Sequence, residues 1–154
     1  MMSNANVYLA IAEEALAESK RLDGATRIPR PDGQPGFVVT YDQERTSFKQ
    51  NLIAIVFAGV YLEALLYIVG VHQLGKDEYM KLKWKNEGKL RALGITDSET
   101  LATCKRFWET RHDLVHEKAI EPLEIDGTAF RTAQREAEIA VSFVRSINGL
   151  LRAP

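Results

Sequence analysis

The densest chemistry in the chain sits at positions 111–116, which read Arg111, His112, Asp113, Leu114, Val115, His116. On a helix, residues four apart share a stripe, so the imidazoles of His112 and His116 would lie on one side. Histidine titrates near neutrality and can both take and give a proton there. The planar guanidinium of Arg111 matches phosphate oxygens two at a time. An arginine and a histidine without a metal are a workable kit for cleaving RNA. The 2′-hydroxyl of the substrate serves as the internal nucleophile. The protein then supplies a proton acceptor, a proton donor and positive charge at the phosphorus. Arg111 and His116 could fill these roles, particularly where two copies meet.

Two other readings of the histidine pair stay open. The same spacing suits two zinc ligands on one helix face. However, Asp113 stands where a zincin carries glutamate, and no third ligand lies nearby in sequence. His72 and Cys104 are the remaining histidine and the single thiol, so no metal and no cofactor are expected. The pair could also simply pack or cap the end of its helix. Glycine-rich phosphate loops, C-x-x-C and G-x-S-x-G are all absent.

These residues must be held by helices, because helical periodicity dominates the chain. The first helix is expected over residues 3–22, with Ser3 or Asn4 as N-cap and Val7, Ile11, Ala15 and Leu22 at helical spacing. Residues 23–43 hold three prolines and three glycines and exclude helix. There, Pro31-Asp32-Gly33 signals a turn, and Phe37 to Tyr41 has strand propensity. A long loop with a short hairpin follows from this. The second helix spans 44–74, with Phe48, Leu52, Ile55, Val56, Leu62, Leu66 and Val69 on its buried side. The third runs over 76–93 and stops at Gly94, with a sparse stripe of Tyr79, Leu82, Leu90 and Leu93. The fourth starts at a capping box, Thr96 with Glu99, and continues to about His116. After Pro122 and Gly127, the last covers 128–151, with Ile139, Phe143, Ile147 and Leu150 on one face. The expected fold is one all-α domain over residues 1–154, an antiparallel bundle of four to five helices.

Two charges break these patterns. Leu101, Cys104, Trp108 and Val115 step along one face of the fourth helix, and that register passes through Arg111. Glu63 shares its face of the second helix with Val56, Val60 and Tyr67. An unpaired charge on an apolar face is costly, so Arg111 must find an acid, reach water along its stem or line a polar cleft. We therefore expect Glu63 and Arg111 to be close in space. A purely structural ion pair would satisfy the same pattern.

Composition narrows the class further. The chain has 154 residues, 45% hydrophobic and 27% charged, which is enough for a core without staples. The net charge of −1 offers no global field for a polyanion. Residues 76–111 nonetheless carry nine basic against six acidic residues, a local excess of +3. One cysteine allows no internal disulfide and fits a reducing compartment. No signal peptide is expected from the first residues. Residues 52–71 are long enough to span a membrane, but Glu63 lies in their middle and no basic cluster flanks them. They read as a buried core helix, and the chain as cytoplasmic with no membrane partner.

The run from Arg111 to His116, with Glu117 following, resembles the R-x4-6-H motif of the HEPN superfamily. His112 occupies a place where that family commonly has Asn, Asp or His, and Asp-Leu-Val before the final His is also typical. The segment 89–95 is similar to the one that often precedes the motif helix, and Glu63 matches an acidic residue that often faces the motif. The resemblance covers roughly residues 44–151. It implies a bundle of four or five helices and a metal-independent endoribonuclease, a hydrolase acting on RNA as a homodimer. Its motif helices would face each other across a cleft. Arg111 and His116 would be catalytic with His112, supported by Glu63 and Asp113. Many members are toxins paired with a nucleotidyltransferase antitoxin or act in phage defence. Others have lost catalysis and bind RNA or a partner protein. Some toxins carry a tyrosine two residues after the final histidine, which the antitoxin modifies; this chain has Lys118 there.

Overall fold

The computed structural model describes residues 4–25, 27–39, 45–82, 85–115 and 128–152. These form α1 (Ala5–Ala25), β1 (Arg27–Pro29), β2 (Phe37–Val39), α2 (Thr46–Leu74), α3 (Lys76–Lys81), α4 (Asn86–Ala92), α5 (Ser98–Val115) and α6 (Thr128–Arg152). The architecture is an all-α helical bundle with a small antiparallel ribbon inserted after its first helix.

The axis of the bundle is α2. Its 29 residues extend roughly 44 Å at about 1.5 Å per residue. It packs against α1 and α6 on one side and against α3, α4 and α5 on another. By length and composition it could cross a membrane, but its inner face is buried in this bundle. Ala54, Ile55, Ala58, Tyr61, Leu62, Leu65 and Leu66 have almost no exposure. Of the residues expected inside, Ile55, Leu62 and Leu66 are fully buried, while Phe48, Leu52, Val56 and Val69 lie half-buried at the margins.

Small residues set how the outer helices approach this axis. Ala5, Ala12, Ala15 and Ser19 form the buried face of α1. The expected stripe through Val7 is therefore rotated, and Val7 is exposed. In α6 the buried face runs through Ala137, Ala140, Val144 and Ile147, with Phe143 beside it. Ile139 lies at its edge and Leu150 is exposed. On α1 alanines make up most of the buried face, and on α6 they share it with larger residues; their short side chains let backbones come close. Lys20 with Glu138 at 2.9 Å and Arg145 with Glu13 at 2.6 Å tie α1 to α6 along their solvent edges.

The ribbon pairs Arg27 with Val39, Ile28 with Val38 and Pro29 with Phe37. Its turn needs positive φ at Gly33 and Gly36. Asp32 accepts from the amide of Gln34 at 3.2 Å and pairs with Arg30 at 2.6 Å.

Two expectations are corrected. The single helix over 76–93 is two helices, so the described residues hold six in all. At Leu82 the backbone leaves helical geometry, with ψ of 80°. The apolar stripe there was too sparse to keep one continuous helix on α2: α3 buries Tyr79, and α4 buries Asn86 and Leu90. The start of α5 also lies one residue later than the Thr96 box. Asp97 accepts the amide of Thr100 at 2.8 Å, and its carbonyl accepts the amide of Leu101 at 3.1 Å. A carboxylate does this better than a hydroxyl because it also meets the positive end of the helix dipole. Hydrogen bonds from the amide and side chain of Thr100 hold the Asp97 carboxyl below its usual range.

Candidate functional site

The face of α5 that enters the core carries Leu101, Cys104 and Phe107, all buried. Phe107 meets Phe143 of α6 edge to face, with centroids 6.0 Å apart. Arg106 adds an ion pair to the nearly buried carboxylate of Glu136 on α6. These contacts fix the rotation of α5, and that rotation aims Arg111 at α2.

Arg111 is then held on three sides. Its Nη1 donates to Glu63 Oε1 at 3.0 Å. The ring of Trp108, one turn earlier, lies 5.2 Å from the guanidinium carbon. Beneath it is Gly59. A Cβ at position 59 would collide with Cδ and Nε of Arg111 and stand 3.2 Å from Cζ. The Arg111 side chain keeps 18% exposure and Glu63 keeps 42%, so the pair opens to water on one side. Arg111 Nε is buried and finds no hydrogen-bond partner among the described residues. The expected proximity of Glu63 and Arg111 is thus a direct contact between α2 and α5.

The other candidates are placed differently. His112 is exposed, about 100° around the helix from Arg111. Asp113 is exposed on the far side of α5, two positions on, and is not brought to the Glu63–Arg111 pair. His116 and Lys118 lie outside the described residues. Among the described residues, no three of His, Cys, Asp and Glu converge as a metal site would require.

Several neighbours were not read as part of this site from the sequence, although it placed Tyr67 on the face of Glu63 and Tyr79 in an apolar stripe. One turn beyond Glu63 on α2 is Tyr67, a residue 45% exposed. It meets Tyr79 of α3 at 5.6 Å and 82°. Tyr79 is seated against Gly70, where a Cβ would strike its ring. Lys89 of α4 places its ammonium 5.6 Å from the centre of the same ring. Burial raises the Tyr79 phenol above its ordinary value, with the Glu63 carboxylate and Tyr67 adding to the effect. Gly59 and Gly70 are eleven residues apart, three helical turns, so they share one face of α2. The one available clue was their cost. A glycine inside a helix is unfavourable by about 1 kcal/mol against alanine, and close approach is a reason to bear it.

Cys104 is buried in the α5 seam, and its thiol is pushed up to about 12 by burial, with Glu87 contributing. Burial thus disfavours the thiolate, the nucleophilic form. No family model, curated protein or solved structure matches this chain.

Proposed function

We propose that this chain is a HEPN-type, metal-independent endoribonuclease that acts as a cytoplasmic homodimer, with a toxin–antitoxin or phage-defence system as its setting. The observation that carries this reading is Arg111. It is an arginine in an apolar seam, braced by Gly59, Glu63 and Trp108 yet open to water on one side, and it begins an R-x4-H sequence. A braced guanidinium is suited to stabilising charge at phosphorus, since its orientation is set before substrate arrives. In this scheme the 2′-hydroxyl of RNA attacks the adjacent phosphorus and the 5′-oxygen leaves. His116 exchanges the proton and His112 assists. The local basic excess over residues 76–111 would draw the polyanion to this side. Ile53 and Ile68, exposed on α2, give a second copy an apolar face to pack on.

The direct test incubates purified protein with single-stranded RNA in the presence of a chelator. Cleavage leaving a 2′,3′-cyclic phosphate is expected, and Arg111→Ala and His116→Ala should each abolish it. No cleavage by a verified dimer, together with unchanged cellular effects of both variants, would end the nuclease reading.

A second reading is favoured by Glu63. Its carboxylate neutralises Arg111 at 3.0 Å, leaving the pair without net charge. A non-catalytic HEPN-like module that binds RNA or a partner protein would keep such a pair for structure. Turnover that His116→Ala abolishes would remove this alternative.

A further inference from the structure

We infer that Tyr67 is a stacking platform for a nucleobase of single-stranded nucleic acid, set beside the Arg111 site. This rests on the reading of that site as one that meets RNA.

Three aromatic side chains border this side of α2, and two are already occupied. Trp108 has the Arg111 guanidinium over its ring. Tyr79 is buried, packed on Gly70 and faced by the Lys89 ammonium. Tyr67 is different. It is exposed, unlike the other aromatic residues whose side chains are described. Its contact with Tyr79 is edge to face, at 82°. That geometry covers at most one face of Tyr67 and props the ring against a fixed partner.

Position supplies the second argument. Tyr67 stands one helical turn from Glu63, about 6 Å along α2, and Glu63 is bonded to Arg111. The strip therefore presents the Arg111 guanidinium, bonded to Glu63 through one nitrogen and open to water on one side, and, one turn beyond Glu63, a flat ring, with the Lys89 ammonium against Tyr79. Single-stranded nucleic acids are held by this combination: cations track the backbone while bases stack on aromatic rings. Every base has a π-face, so the platform tolerates any sequence. A partner protein would also find Tyr67, but the Arg111 guanidinium and the Lys89 ammonium on this side of α2 favour a polyanion.

The test uses a fluorescent decamer of 2′-O-methyl uridine, which cannot be cleaved through its own 2′-oxygen, and an abasic decamer of the same backbone. Wild type should bind the base-bearing strand about tenfold more tightly than the abasic one. Tyr67→Ala should lose that difference, Tyr67→Phe should keep it, and both should fold because the residue is exposed. Equal binding of the two strands by wild type, or an unchanged preference in Tyr67→Ala, overturns the proposal. Cleavage of ordinary RNA is followed in parallel. Base-dependent binding without cleavage would leave the platform standing and remove the nuclease. Cleavage that is insensitive to Tyr67→Ala, with no base preference, would do the reverse. The absence of both binding and cleavage would remove the two together.

Discussion

Arg111 lies flat across Gly59, so that the backbone of α2 forms the floor of the candidate site. Replacing a helical glycine by alanine ordinarily stabilises by about 1 kcal/mol. Here the new methyl group would strike Cδ and Nε of the arginine. Gly59→Ala is therefore expected to destabilise by about 1–3 kcal/mol, as overpacking does. In an Arg111→Ala background the obstacle is gone, and the same change should become neutral or stabilising. Urea denaturation of the four proteins checks this, and additive effects would show that the contact does not bear on stability.

The Glu63–Arg111 pair joins α2 to α5 at 3.0 Å. Because Glu63 is 42% exposed, solvent screens the attraction. A double-mutant cycle with Glu63→Gln and Arg111→Gln should give a coupling of about 0.5–1 kcal/mol. The coupling should shrink in high salt. A coupling near zero in low salt would mean that this ion pair adds nothing to the hold on α5.

Tyr61 is fully buried in α2, and its hydroxyl meets no partner among the described residues. An unsatisfied buried hydroxyl costs about 1–3 kcal/mol. Tyr61→Phe removes that cost while leaving the ring in place. It should raise stability by about 1 kcal/mol, readable as a higher Tm. A loss of stability would point to a hydrogen bond that the hydroxyl makes in solution.

Alkaline pH should weaken the fold. Burial raises the Cys104 thiol from its ordinary 9.0 to about 12, and it raises the Tyr61 and Tyr79 phenols above 10.0. In each case the folded chain keeps a proton that the unfolded chain releases sooner. For Cys104 this contribution is fully present below pH 9 and is lost as pH rises towards about 12. Stability should fall through that window, and Cys104→Ala should flatten part of the slope. At neutral pH the thiol should react with a disulfide reagent only as fast as the chain opens.

Much of this arrangement could be read before the fold was known, and the reasons are specific. Glu63 and Arg111 each interrupt an apolar register, and two such interruptions on core helices point at each other. The long apolar run of α2 marked the axis of the bundle. Gly59 and Gly70 escaped notice because a glycine offers no side chain to extrapolate from. The faces of α1 and α6 were legible only in part: Ala15, Phe143 and Ile147 are buried as expected while Val7 and Leu150 are exposed, because alanine weighs little in a hydrophobic pattern although it permits the closest packing. Arg106 and Glu136 were missed because thirty residues separate two charges that each looked solvated. The division between α3 and α4 follows the sparse apolar stripe there, with the backbone leaving helical geometry at Leu82.

The ribbon after α1 has a thermodynamics of its own. Ile28 and Val38 stand opposite each other and both face water, so they shield little besides one another. Two short strands are marginal by themselves. The hold on them comes largely from the turn, through Asp32, Arg30 and the two glycines. Its amide protons should consequently trade with deuterium through local opening events, long before those of α2, which wait for the whole molecule to come apart. Damage to this appendage would be invisible in a melting curve that reports only the helices.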